Sequence, residues 1–228
     1  MLAILSDIHS NLEALQSVLA DIDRRKISQI YCLGDIVGCG PDPAQCLAHC
    51  QKFDLCIKGD WDLFVASSTQ DVESKDSKPL AKCDWTRSQL SRDELSYLSR
   101  LKTSHTKGEL TFAHGSPLDN VRGYLFPEAV YERDEMARQF AAFEGLFACG
   151  HTHLPGVFHQ NKFMEPTEID FRFDCDENPA IVNVGSVGQP RDGDPRACYV
   201  IFDGSSFEFV RLEYDWDTTK RKMDDLSW

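Results

Sequence analysis

The sequence predicts an α/β fold of two packed β-sheets with flanking helices, and three observations predict it. Short apolar runs alternate with amphipathic stretches over the first 60 residues. Five apolar runs in the first 150 residues end on a short polar turn that carries an acid or a histidine. From 156 onward, brief strand-like runs are separated by turn residues, the pattern of hairpins.

The elements follow in order. LAILS (2–6) reads as a buried strand, and Ser10 with Glu13 forms an S-x-x-E capping box for a helix whose apolar stripe is Leu12, Leu15, Val18, Leu19 and Ile22. QIYCL (29–33) is the next strand, Asp42 and Pro43 open a short helix to about Gln51, and FDLCIK (53–58) returns as a third strand. Strand, helix, strand, helix, strand implies a parallel sheet. The polar run TQDVESKDSKP (69–79) reads as a surface loop, followed by helices near 80–90 and 92–101, the second capped by Ser91 and Glu94. This helical insert, about 62–105, is placed as a cap beside the site. ELTFA (109–113) and LFACG (146–150) are strands on either side of a helix from Pro127 to Phe143. GVFHQ, DFRFD, AIVNV, ACYVIFD and SFEFVRLEY then predict a second, more antiparallel sheet packed on the first, and 215–228 reads as a polar tail. There is no internal repeat, and one domain spanning 1–228 is expected.

Composition narrows the function classes. The 228 residues are 42% hydrophobic and 27% charged, enough for a substantial core. A formal net charge of −13 with no basic run argues against a non-specific nucleic-acid binder. Met1 runs directly into LAILS, without the basic and long apolar regions of a signal peptide, and no apolar run approaches the roughly 18 residues that span a bilayer. A cytoplasmic protein with no membrane partner is expected. Nine cysteines, an odd count without a C-x-x-C pair, sit mostly inside apolar runs and read as reduced core residues.

The chemistry sits at the strand ends. Asp7-Ile8-His9, Gly34-Asp35, Gly59-Asp60, His114-Gly115 and Gly150-His151-Thr152-His153 bring carboxylates and imidazoles together at loop positions. A set of oxygen and imidazole donors without cysteine suits manganese, iron or zinc.

In this order, and with Trp61 and Asp62 completing the third motif, these segments resemble the motif set of the calcineurin-like metallophosphoesterases: D-x-H, GD, GNHD, H and GHxH. The stretches GDIVGCGPDP (34–43) and GSVGQPRDGDPR (185–196) resemble the bacterial phosphodiesterase branch of that family. The resemblance implies a two-sheet βαββα-type sandwich flanked by helices. It also implies two divalent metal ions, manganese foremost, with iron, zinc, nickel or cobalt as the other candidates. Asp7, His9 and His153 would hold the first metal, Asp35 would bridge, and Asp60, His114 and His151 would hold the second. Asp35, Asp60 and His114 are also the expected catalytic residues. Two cations about 3.5 to 4 Å apart can share a hydroxide and neutralise phosphoryl oxygens during in-line attack.

The third motif departs from the pattern, with GDWD (59–62) in place of GNHD. Trp61 replaces a histidine thought to protonate the leaving oxygen, and losing a positioned general acid costs roughly 10² to 10⁴ in rate. Asp60 replaces a neutral asparagine ligand and adds a negative charge, which disfavours dianionic monoesters relative to monoanionic diesters. The expected function is hydrolysis of phosphodiesters with good leaving groups, on a small diester or nucleotide-type substrate, without the usual histidine acid. The alternative is a catalytically weak or inactive metal-stabilised scaffold, similar to the retromer subunit of this family, which carries GDFD at the same motif. Trp61, Arg122, Tyr124 and Arg191 are candidate substrate contacts. The Gly185–Arg191 segment is expected either to offer backbone N–H groups and Arg191 to a phosphate or to form only a tight turn.

Overall fold

All four residues of the first strand, Leu2–Leu5, are buried because both of its faces are covered. Leu2 and Ile4 point into one apolar cluster with Phe112, Val182, Val200 and Phe207, and Ala3 and Leu5 point into another with Leu15, Val18 and Leu47. A strand covered on both sides loses the apolar–polar alternation of a half-exposed one.

The computed structural model describes residues 1–67 and 77–226. β1 (Leu2–Leu5), β2 (Gln29–Cys32) and β3 (Leu55–Cys56) alternate with α1 (Leu12–Arg24) and α2 (Pro43–Cys50). The helical segment comprises α3 (Asp60–Ala66), α4 (Ser77–Ser88) and α5 (Arg92–Arg100). β4 (Ser104–Lys107), β5 (Leu110–Ala113), α6 (Arg133–Ala141) and β6 (Leu146–Cys149) follow. The remainder is β7 (Gly156–His159), β8 (Lys162–Met164), β9 (Arg172–Asp174), β10 (Ala180–Asn183), β11 (Ala197–Phe202), β12 (Ser206–Leu212) and α7 (Trp216–Asp224). Among the described residues, two six-stranded mixed sheets result, ordered β3-β2-β1-β11-β12-β9 and β4-β5-β6-β10-β7-β8. This is the two-sheet α/β sandwich that the sequence predicts.

Several expectations are corrected. The C-terminal strands do not form a sheet of their own. β11 runs antiparallel to β1, with Leu2 opposite Phe202, and β10 runs parallel to β6, with Asn183 opposite Cys149. Each seals the edge of a parallel block, which explains why ACYVIF and AIVN are almost wholly buried. The capping box at Ser10 is replaced by Asn11, whose Oδ1 accepts from the Ala14 amide at 3.1 Å. Ser10 has φ 57°, and an N-cap needs extended backbone, so the helix starts one residue later. Asp42 precedes α2 as expected but makes no side-chain cap bond; its carboxylate pairs with Lys222 at 2.7 Å.

The predicted helix from Pro127 is a 3₁₀ turn, Pro127–Tyr131, followed by the separate α6. β4, β8 and α3 carry too little periodicity to be read from sequence. Most of the polar run 69–79 lies outside the described residues. The segment read as a polar tail carries α7, held against α1 by Lys222–Glu13 at 2.5 Å and by the Thr219 hydroxyl on Asn11 Oδ1 at 3.1 Å. The Ser91–Glu94 capping box of α5 is present, and Arg87 of α4 donates to the Val65 and Phe64 carbonyls, closing the C-terminus of α3. All nine cysteines are free thiols, seven of them buried.

Asp21 ties α1 to the sheet, accepting from the Tyr199 hydroxyl at 2.6 Å and from Arg25 at 2.8 Å, with Arg24 alongside. Burial raises its pKa, but the Tyr199 and arginine hydrogen bonds outweigh burial and leave it below 3.8. A depressed carboxylate stabilises the fold above its unfolded pKa and loses that contribution as pH falls through the folded value. Asp21→Asn is therefore expected to cost about 1.5 to 3 kcal/mol at pH 7 in urea unfolding. The difference from wild type should shrink as the pH falls below 3.8 toward the lower folded value.

Candidate metal centre

The candidate ligands sit where parallel strands end. β1 leads to Asp7 and His9, β2 to Asp35, β3 to Asp60, β5 to His114, and β6 to His151 and His153. Ligands favour the carboxyl ends of parallel strands, and here both sheets present those ends to the same place. The turns are tight. Five of the seven residues have positive φ: Asp7 (55°), His9 (48°), Asp35 (50°), His151 (69°) and His153 (62°). Non-glycine residues pay a steric cost there, and such strain concentrates at functional sites. Gly34 and Gly59 let two of the turns touch: a Cβ on Gly59 would lie 2.0 Å from Asp35 Oδ1, and one on Gly34 2.4 Å from the Gly59 nitrogen.

The structure brings all seven residues into two groups, Asp7, His9 and His153 in one and Asp35, Asp60, His114 and His151 in the other. Within each, one donor atom per residue lies within 4.8 Å of the others. In the first group, His153 Nε2 is 3.1 Å from both His9 Nε2 and Asp7 Oδ1, with 3.7 Å between the latter two. In the second, His114 Nε2 is 2.9 Å from His151 Nδ1 and 3.5 Å from Asp35 Oδ2. Metal bonds of about 2.1 Å at tetrahedral to right angles set donor–donor edges of about 3.0 to 3.5 Å, close to these values. Asp35 Oδ2 also lies 3.6 Å from His9 Nε2, so one carboxylate oxygen faces both groups.

The surroundings orient the donors. The His114 Nδ1–H donates to the Leu33 carbonyl at 3.0 Å and the His153 Nδ1–H to the Gln189 carbonyl at 2.5 Å, leaving each Nε2 with a lone pair toward the cluster. Asp7 Oδ2 accepts from the His151 amide at 2.9 Å and Asp35 Oδ1 from the Trp61 amide at 2.9 Å, which turns the other oxygen of each inward. Among the described residues, Asp7 Oδ1 and Asp60 Oδ1 are buried without hydrogen-bond partners, a costly state that a cation would relieve. The residues fit a pair of divalent cations. Burial, then the charges of Asp60, Asp7 and Asp62, push the Asp35 carboxyl well above its usual range. Burial also raises Asp7, but His153, His114 and His9 outweigh it and hold its pKa low. Burial, with His114 next, lowers His151 to about 4, and burial, then His153, lowers His9 as well, which keeps both imidazoles neutral and able to ligate.

Asp62 has a role that the sequence motif did not reveal. Fully buried, it accepts from the Ile36, Val37 and Gly59 amides at 3.0, 3.2 and 3.0 Å, and so clamps the Asp35 turn to the Asp60 turn. Burial raises its pKa to about 7 despite those hydrogen bonds. Asn183 acts similarly beneath the GHTH turn, donating to the Gly150 carbonyl at 2.7 Å and Thr152 Oγ1 at 2.9 Å. The GDWD motif marks the position of Asp62 but not its role, and no motif marks Asn183; most of the backbone groups they hold are distant in sequence.

Of the other candidates, Tyr124 stacks on the His151 ring at 3.8 Å, and Phe126 stacks on Tyr124 at 5.4 Å. Trp61 and His9 meet edge to face, with ring centroids 6.3 Å apart. The Arg122 guanidinium lies over the Phe64 ring at 5.2 Å, while Arg191 is exposed and donates to Gln189 Oε1 at 3.0 Å. The Gly185–Arg191 segment does not offer its amides to an anion. Val187 N and Gly188 N donate to the carbonyls of Ser6 and Asp7, and Gln189 N donates to Ser186 Oγ. It braces the Asp7 turn from below, which is the tight-turn reading.

The comparisons agree with this architecture. The sequence model of the calcineurin-like phosphoesterase superfamily domain matches residues 1–206. The chain belongs to that family, a family of phosphoesterase hydrolases whose members typically bind two divalent metals. An uncharacterized protein of Methanocaldococcus jannaschii is 36% identical over 223 residues, covering 94% of this chain and 88% of that protein. A metallophosphoesterase from Sphaerobacter thermophilus has 33% identity and a TM-score of 0.84, with 98% of this chain and 93% of that one covered. A hypothetical protein of Pyrococcus horikoshii shares the fold at 20% identity and a TM-score of 0.76, over 98% and 93% of the two chains.

Chelation tests the cluster. Manganese at 100 times its dissociation constant is expected to stabilise EDTA-treated protein by about 2.7 kcal/mol per site in thermal unfolding. Asp62→Ala, which frees the Asp35 turn, should weaken manganese binding about 10- to 100-fold in calorimetric titration.

Proposed function

We propose that this protein hydrolyses phosphodiesters with good leaving groups, on small diesters or nucleotide-type substrates, with two manganese ions as the preferred metals. The observation that carries this reading is Asp35 Oδ2, placed 3.6 Å from His9 Nε2 and 3.5 Å from His114 Nε2, which suits a bridging carboxylate. When bound, the cations would lower the pKa of a shared water and neutralise the phosphoryl oxygens.

The residues of the chain do the rest. Asp7, His9 and His153 would hold one ion, Asp60, His114 and His151 the other, and Asp35 both. Asp35 is fixed through its other oxygen by the Trp61 amide, so it needs no rearrangement to bridge. Three carboxylates among seven ligands leave the centre less positive than an asparagine at position 60 would, which favours monoanionic diesters over dianionic monoesters. Trp61 fills the place of the histidine acid. Its indole carries an N–H donor with no acid–base function near neutral pH, so the leaving oxygen departs without a proton from that position. That suits aryl and nucleotide-type leaving groups.

The scaffold alternative keeps the metals and drops the chemistry, and turnover decides between the two. With manganese, kcat/KM for a bis-aryl phosphodiester is expected to exceed that for the aryl monoester. Asp35→Asn should lower it by about 10²-fold or more, and Trp61→His should raise kcat roughly ten-fold or more. Equal rates in wild type and Asp35→Asn would favour the scaffold, and a monoester preference at saturating manganese would overturn the assigned specificity.

A further inference from the structure

A cleft of about 370 Å³ opens beside His9 and runs to the C-terminal helix α7. Its size falls within the range of about 300 to 1,000 Å³ typical of small-ligand clefts. Its far wall consists of Tyr214, Trp216 and Met223, its near wall of Pro190 and the Gly188–Gln189 turn. We propose that this cleft binds the nucleoside part of the substrate, with the base against Trp216, and so sets specificity for nucleotide diesters. The inference rests on the phosphodiesterase reading for the reaction but concerns a separate surface.

Three observations carry it. The cleft shares His9 with the candidate metal centre, so it adjoins the place where the phosphoryl group would sit and offers room for the non-reacting part of the ligand. Trp216, the first residue of α7, is 52% exposed although it is a large aromatic side chain lining a concavity. A flat π-face of this kind accepts any base, and stacking against it needs no hydrogen-bond code.

The third observation is the pairing of charge. Glu13 and Asp42, at this end of the molecule, both pair with Lys222, at 2.5 and 2.7 Å. On a chain of net charge −13 the shared ammonium offsets one of these two negative charges and so lessens the repulsion an anionic ligand meets. Arg191, exposed beside Gln189, supplies a cation near the route that links phosphate to base, while Lys220 at the cleft wall is paired with Asp224 at 2.9 Å. The wall is also preformed. Asn11 bonds to the Gly188 carbonyl at 2.9 Å and accepts from Thr219 at 3.1 Å, which joins the two sides of the cleft at its floor.

Adenosine 5′-monophosphate binding to manganese-loaded protein, followed by calorimetry, tests the cleft by a readout other than turnover. Trp216→Ala is expected to weaken binding at least five-fold, Trp216→Phe to retain most of it, and Met223→Trp, which fills the cleft, to abolish it. In steady state with manganese, Trp216→Ala should raise KM for an aryl ester of a nucleoside 5′-phosphate at least five-fold, with kcat changed less than two-fold. Methyl aryl phosphate, which lacks the nucleoside, should be unaffected. Unchanged binding in Trp216→Ala and Met223→Trp, or equal effects on the two esters, would overturn the assignment while leaving the hydrolase reading intact. Binding that depends on Trp216 in a protein without turnover would uphold the cleft and sink the hydrolase reading.

Discussion

Asp35 is a buried carboxylate with three others, Asp7, Asp60 and Asp62, acting on it, and burial with their charge drives its pKa upward. A buried cluster of this kind is neutralised either by protons, as the raised Asp35 pKa reflects, or by cations. Four imidazoles surround the carboxylates, and burial holds His9 and His151 toward the neutral form, in which they can ligate. The junction of the two sheets is thus suited to cations, and the turns of the local backbone converge on the same place.

That shaping explains much of the architecture around the site. Strand ends give direction, and five of the candidate ligand residues hold left-handed backbone at the turns where the donors converge. Their turns are braced from outside. Asp62 clamps two of them, Asn183 a third, and the Ser6–Asp7 carbonyls are held by the Val187–Gly188 segment that precedes Arg191. Strain at the ligands is thus offset by hydrogen bonds from residues that never face the metals, the arrangement expected of a preorganised centre.

The positions that meet in the two candidate clusters were legible in the sequence because each follows an apolar run, and a buried strand that ends on an acid or a histidine delivers that side chain to the sheet edge. β1, β2 and α1 were legible for the same reason, through uninterrupted apolar runs and a helical stripe. What escaped was decided by distant partners. Whether β10 and β11 formed a separate sheet or sealed existing edges depended on pairing with β6 and β1, and local pattern does not encode partner choice. α7 has a polar surface, and it docks through Lys222 and Thr219 onto residues about 200 positions away. Ser10 does not cap because it shares the left-handed backbone of the turn that carries Asp7 and His9.

The central claim is that Asp35 bridges two metals. Crystals grown with manganese and measured by anomalous scattering at the manganese edge address it directly. The account predicts two peaks about 3.5 to 4 Å apart, one among Asp7, His9 and His153, the other among Asp60, His114 and His151, with Asp35 bonded to both. A single peak, or two peaks with Asp35 bonded to only one of them, would contradict it.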